Sequence, residues 1–144
     1  MYSFETSRLR GISDMIIENG KLICANKPND NIFIIKQSTG KESGFVFYYK
    51  RDSNNIYICH IGITRKRGRT EVTYGTEQEY RGNGFMQEAL NGLLQWIKAN
   101  TLENKIWGIP NGEISEHILK KCGFEYYGKD EENSCKWFVY IIER

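Results

Sequence analysis

The feature that most constrains this chain is a change of period across Arg81-Gly82-Asn83-Gly84. Before it, "RTEVTYGT" (69–76) carries β-branched and aromatic residues and reads as a strand. After it, Phe85, Ala89, Leu90, Leu93, Leu94 and Ile97 fall on one face at helical spacing, which predicts a helix from about Gly84 to Ala99. "KIWGI" (105–109) follows as a short strand that Pro110 stops. A strand, a helix and a second strand in that order predict a right-handed crossover between parallel strands. The two glycines therefore lie where a strand hands over to a helix.

The rest of the chain reads mostly as sheet. "NIFIIKQ" (31–37), "GFVFYYK" (44–50) and "NIYICHIGI" (55–63) are separated by the turn clusters "STGKES" and "RDSNN". They predict an antiparallel meander that runs through a hairpin loop at "RKRG" into the strand at 69–76. "GISDMIIENGKL" (11–22) is expected to hold a short helix capped by Ser13 or Asp14 and stopped near Gly20. A second helix is expected over about 113–121, with Ile114, Ile118 and Leu119 turned inward and Gly123 as its left-handed stop. "FEYYG" and "CKWFVYII" would close the sheet as a pair of strands, and Trp96 and Trp107 are expected in the core. The predicted class is α/β (α+β): a mixed, mostly antiparallel central sheet flanked by helices, in a single domain over residues 1–144.

Composition removes several functions. Hydrophobic residues make up 40% and charged residues 26%, the balance of a chain that folds around a core. A formal net charge of +2 is too small for a dedicated nucleic-acid binder. No apolar run approaches the ~20 residues of a membrane span. "MYSFETSRLRGISD" lacks the apolar centre of an export signal, so the cytoplasm is the expected location. Cys24, Cys59, Cys122 and Cys135 show no paired spacing, and His60 and His117 are the only histidines. No metal site is expected, and the cysteines are read as reduced, mostly buried thiols.

The glycine turn suggests an anion. The first amides of a helix have no intrahelical partner and carry about half a positive charge. Glycines let that backbone approach a ligand with no Cβ in the way, and Arg81 adds a cation, so a pyrophosphate is the natural guest. A Walker loop is excluded because Gly-Lys-Ser/Thr is absent, and a dinucleotide fingerprint because Gln87 stands near where its third glycine would fall. The plainer counterpart is a turn that only connects strand to helix.

The surroundings add to this. "EVTYGTEQEYRGNGFMQEAL" (71–90) resembles the acetyl-CoA-binding signature of the GNAT N-acetyltransferases, most closely of those that acetylate ribosomal-protein N-termini and small amines. That pattern runs Glu–apolar–Gly–Tyr, a gap, Pro–Glu–aromatic–Arg–Gly–x–Gly, then Glu–Ala–Leu. Glu71, Tyr74, the turn from Arg81 to Gly84, and Glu88-Ala89-Leu90 hold those places, with Thr73 for glycine and Gln78 for proline. "NGEISEHILKKCGFEYYG" resembles the family's Asn–x–x–Ser … Lys–x–Gly–Phe–x–x–x–Gly segment through Ser115, Lys121, Gly123 and Phe124. Asn111 stands one residue too far from Ser115, and Gly112 fills the asparagine's slot. The likeness covers about residues 60–130; the first third of the chain matches poorly.

The resemblance implies transfer of acetyl from acetyl-CoA to a primary amine by direct attack in a ternary complex. The diphosphate would lie on the backbone amides of Arg81, Gly82, Asn83, Gly84, Phe85 and Met86, with Asn111 a further cofactor contact. The peptide-like pantetheine arm would pair with Gly75, Thr76 and Glu77, and an amide of that strand would steady the oxyanion. An ammonium of pKa ~8–10 must lose a proton before it attacks, and Glu71 is the implied base. Ser115 would stand near the sulfur. The tyrosine that some relatives use as acid is Leu119 here, so that acid is missing. The acceptor would be an amine-bearing small molecule or a protein N-terminus, for a monomer or homodimer with no metal and no membrane partner.

Plainer roles stand beside these: a solvated strand glutamate for Glu71, and a helix serine bonded to backbone for Ser115. Phe85 and Met86 would either cover the cofactor or pack beneath the sheet, and Tyr126 and Tyr127 are read as sheet packing. An alternative function is a non-catalytic acyl-CoA-binding module of the same fold. A third is an RNA- or ribosome-associated protein using the basic hairpin "TRKRGR" (64–69), although such runs are more often solvated loops and a nucleic-acid partner is not expected. "KDEEN" (129–133) reads as an acidic turn.

Overall fold

The computed structural model describes residues 2–23, 43–51, 55–130 and 134–144. In chain order the elements are β1 (Tyr2–Glu5), β2 (Leu9–Ser13), β3 (Ile16–Glu18), β4 (Lys21–Ile23), β5 (Gly44–Tyr49), β6 (Tyr57–Lys66), β7 (Arg69–Thr76), a 3-10 turn (Gln78–Tyr80), α1 (Phe85–Asn100), β8 (Lys105–Gly108), α2 (Glu113–Lys121), β9 (Glu125–Lys129) and β10 (Lys136–Ile141). The main sheet has the order β1-β2-β5-β6-β7-β8-β10-β9, and β3 and β4 form a separate hairpin. Every neighbour pair in the main sheet is antiparallel except β7 with β8. The mixed sheet and the parallel partner of the crossover are as expected.

Both helices cover one face. α1 buries Phe85, Met86, Ala89, Leu90, Leu93, Leu94 and Ile97 against Phe45, Phe47, Cys59, Ile61, Ile63 and Val72, which alternate along their strands. Leu119 of α2 is fully buried and packs on Gly108. The opposite face carries a second apolar cluster of Trp107, Trp137 and Val139. Trp96 joins the main core in part, ring to ring with Tyr2, Phe4 and Phe45.

Two expectations are corrected. The helix expected within 11–22 is instead the end of β2 followed by the β3–β4 hairpin. Asn19 and Gly20 both have positive φ (53° and 78°), and such a pair closes a two-residue hairpin rather than ending a helix. Ile114 does not turn inward but is 81% exposed. β8 ends at Gly108, beneath Leu119, so the first turn of α2 overhangs the end of the strand. The strand expected at 31–37, Cys24 and part of "KDEEN" fall outside the described residues. The hairpin loop at "RKRG" tightens to Arg67-Gly68, also both at positive φ.

Candidate functional site

The parallel seam between β7 and β8 is short. It pairs only Glu71 with Trp107 and Val72 with Gly108. β8 then ends, while β7 runs on to Thr76 still paired with β6. A cleft opens between β7 and the segment leading into α2. Antiparallel partners alternate in the direction of their amides. The tight turn at Arg67-Gly68 and the bond from the Glu77 amide to the Ile58 carbonyl direct residues 69, 71, 73, 75 and 77 toward β6. The backbone groups of Tyr74 and Thr76 therefore face the cleft. Of Gly75, Thr76 and Glu77, only Thr76 offers its amide there, and its carbonyl accepts from Arg81 Nε at 3.0 Å. Tyr74 joins it as a strand edge for a peptide-like ligand.

The helix mouth adjoins this edge. Gly82 and Gly84 have φ of +80° and +74°, in the left-handed region. A Cβ at Gly82 would meet nothing within 4 Å, so the space above the turn is open. Gly84 is the N-cap of α1, and no side chain caps the helix. The first-turn amides, those of Phe85 and Met86 among them, are thus uncapped, while the side chains of both residues are buried in the core. Asn83 ties the turn together by donating to the carbonyls of Tyr80 (3.2 Å) and Arg81 (3.3 Å).

Arg8, which sequence reasoning missed, braces the same turn from β2's approach. Its guanidinium donates to the Asn83 carbonyl (3.0 Å) and to Glu88 (2.7 Å), and lies 4.1 Å above the Phe85 ring. Its backbone amide and the Thr6 hydroxyl also donate to Glu88. Burial would raise the Glu88 pKa, but these donors outweigh it and hold the carboxylate below its ordinary value. Arg8 and Arg81 together set two cations beside the uncapped amides. No local signal marks Arg8, because its partners lie 75 and 80 residues away.

The floor of the cleft is polar. The Tyr74 hydroxyl donates to the Ser115 carbonyl at 2.7 Å and receives the Ser115 hydroxyl at 3.1 Å. Burial pushes the Tyr74 phenol up to about 12, with the Ser115 bond pulling the other way. Ser115 is thus joined to β7 through the Tyr74 hydroxyl. Asn111 is exposed in the turn before α2, across the cleft from β7.

The sheet face away from the helices carries Glu71, half-buried beside Trp107. It also carries His60, a second residue that was missed because it sits alone in an apolar run. His60 is 6% exposed and pairs in register with Gly75. A Cβ on Gly75 would stand 3.0 Å from His60 Cε1, so glycine is what admits the ring. His60 Nδ1 lies 2.8 Å from the Tyr57 hydroxyl, and burial lowers the histidine pKa from 6.5. Cys59 and Cys122 are buried thiols pushed up to about 12, by burial first. A surface concavity of about 790 Å³ lies elsewhere, between β1 and α1, and reaches this region only at Gly84 and Glu88.

Residues 21–125 match the sequence model of the acetyltransferase (GNAT) domain, and the chain belongs to that family. Solved structures share the fold, two of the following three over nearly the whole length. The GNAT-family acetyltransferase of Bacillus anthracis is 14% identical with a TM-score of 0.71, covering 99% of this chain and 100% of its own. The ribosomal-protein-S5-alanine acetyltransferase of Vibrio fischeri is 17% identical with a TM-score of 0.68, covering 99% and 98%. Mycobacterium smegmatis RimJ, solved in complex with CoA-disulfide, is 15% identical with a TM-score of 0.59, covering 75% and 56%. At these identities the likeness is one of fold. No curated protein matches the chain by sequence. Among the described residues there is no metal-binding cluster of His, Cys, Asp and Glu, and no helix is long and apolar enough to cross a membrane.

Proposed function

We propose that this chain transfers an acetyl group from acetyl-CoA to a primary amine by direct attack in a ternary complex. The carrying observation is the cleft itself: a strand edge at Tyr74 and Thr76 that leads directly to an uncapped helix mouth with two arginines beside it. Amides from Gly82 to Met86 would hold a diphosphate, with Arg81 contributing its side chain because its amide already donates to the Gln78 carbonyl, and the strand edge would pair with a pantetheine arm. A backbone amide facing the cleft would steady charge on the thioester oxygen. Glu71 would take the proton from the amine, and Ser115 with Tyr74 would supply one to the departing sulfur. With Cys59 and Cys122 held far from thiolate, an acyl-cysteine intermediate at either has no support. On this reading residues 1–144 act as one cytoplasmic domain, as a monomer or homodimer.

The test is a crystal grown with coenzyme A together with a thiol-release assay over a panel of amines. Phosphates found away from residues 81–86 would end the proposal. Coenzyme binding with no thiol released from any amine would select the non-catalytic acyl-CoA-binding module. Glu71→Gln should lower kcat/KM by about 100-fold or more and flatten its alkaline rise with pH; an unchanged profile would remove Glu71 as the base.

A further inference from the structure

The basic hairpin at 64–69 divides its charges between the two faces of the sheet. Arg65 is bound to Glu103 at 2.7 Å on the helix side. Arg69, at the start of β7, turns to the opposite face. Its guanidinium carbon lies 4.1 Å above the Trp107 ring, 4.8 Å from that of Trp137 and 5.7 Å from that of Tyr127. The three rings offer the guanidinium their faces and no hydrogen-bond acceptor for its N–H edge. Among the described residues no carboxylate, carbonyl or hydroxyl accepts from that edge. Glu71 stands two positions further along the same strand and face, in register with Trp107. One indole therefore lies beside both a carboxylate and a guanidinium.

We propose that Arg69 forms an anion subsite and that the acceptor amine carries a carboxylate. The proposal rests on the reading above, in which Glu71 meets the amine. The body of the acceptor would lie along Trp107, its amine at Glu71 and its carboxylate at Arg69, two residues whose Cα atoms are two strand positions, ~7 Å, apart and whose side chains converge on the acceptor between them. Arginine suits this because its planar fork matches a carboxylate in two parallel hydrogen bonds. Packing among the rings restrains the fork before the acceptor arrives, so less freedom is lost on binding. Lys66 and Arg67, exposed at the hairpin tip, add positive potential at the approach. The carboxylate could belong to a free amino acid or to an acidic side chain near a peptide N-terminus.

The experiment uses the whole chain with acetyl-CoA and follows thiol release for acceptor pairs that differ only in the carboxylate. One pair is an amino acid and its carboxamide. The other is a tripeptide with Asp at its second position and the same peptide with Asn there. The acid member of at least one pair should be favoured about 10-fold or more, chiefly through KM. Arg69→Gln should erase that preference and leave turnover of the neutral member within about two-fold. Preference in the first pair identifies a small molecule, and in the second a peptide. Arg69→Lys, which keeps the charge without the fork, should lose most of the preference and replaces Arg69→Gln should that variant not fold. Equal use of acids and amides, or a preference that survives both substitutions, overturns the proposal.

If no amine releases thiol, the transfer reading fails separately, and the subsite is judged by binding. The same acids and amides are then titrated against the indole N–H resonances of Trp107 and Trp137. Shifts with the acids alone that vanish in Arg69→Gln sustain the subsite; equal or absent shifts overturn it. A short single-stranded RNA that moves those resonances where the acids do not would reassign the guanidinium to phosphate and likewise overturn it.

Discussion

Gly84 has two properties that its substitution can separate. Its φ of +74° strains any side chain, and its place at the head of α1 sets it where a negative group faces a negative ligand. Gly84→Asp should reduce coenzyme A affinity by at least about 100-fold by calorimetry, from charge repulsion added to ~1–2 kcal/mol of backbone strain. Gly82→Asp should do the same, whereas Gly82→Ala carries the same backbone strain (φ +80°) but no charge, its methyl in open space, and should lose less affinity than Gly82→Asp. His60 offers a test through stability. The unfolded histidine titrates near 6.5 and the buried one lower, so below 6.5 the unfolded chain binds the extra proton. The stability contribution is full above that pH and is lost as pH falls into the window below it. His60→Gln should flatten this loss in urea melts from about pH 7 to about pH 5. Glu88, whose pKa is lowered from 4.5, adds its own loss only under more acid conditions.

At the scale of elements, the cleft depends on β7 and α2 being held at a fixed separation, and Tyr74 is the link. Tyr74→Phe removes its bonds to Ser115 and should cost about 1 kcal/mol in the urea midpoint. It should also lower kcat by about 100-fold if the phenol helps to protonate the sulfur; a loss confined to stability would make it a strut only. The sequence made α1 readable because its apolar period and its glycine start coincide. The strands from β5 onward were readable because β-branched and aromatic runs lay between clear turns. The start of the chain was not, because its strands are short and Asn19-Gly20 also suits a helix stop. The cleft was readable only in part: the motif marked β7 and the turn, but which amides face the gap depends on register, fixed by a hairpin and by Ile58.

At the scale of the molecule, the distant parts meet at Glu103. Its carboxylate is 6% exposed and accepts from Arg65 at 2.7 Å, Thr70 at 3.0 Å and the Leu22 amide at 3.3 Å. It thereby joins the β3–β4 hairpin, the β6–β7 hairpin and the end of α1. Arg144 secures the same segment by donating to the carbonyls of Glu103 and Thr101, both at 2.7 Å. Glu103→Gln should destabilise the protein by about 1–2 kcal/mol, since it weakens the hydrogen bonds to a buried acceptor while Arg65, 31% exposed, can turn to water. A midpoint shift near zero would mean that water replaces the contact freely.

Arg8 has a consequence for assembly. The turn that would cradle the diphosphate is braced by a side chain 75 positions earlier. A contact of that span forms only after the intervening chain has been brought together, which favours its late arrival during folding. The anion cradle is then completed only once the first strands have docked on α1, and competence to grip a nucleotide becomes a report of that docking.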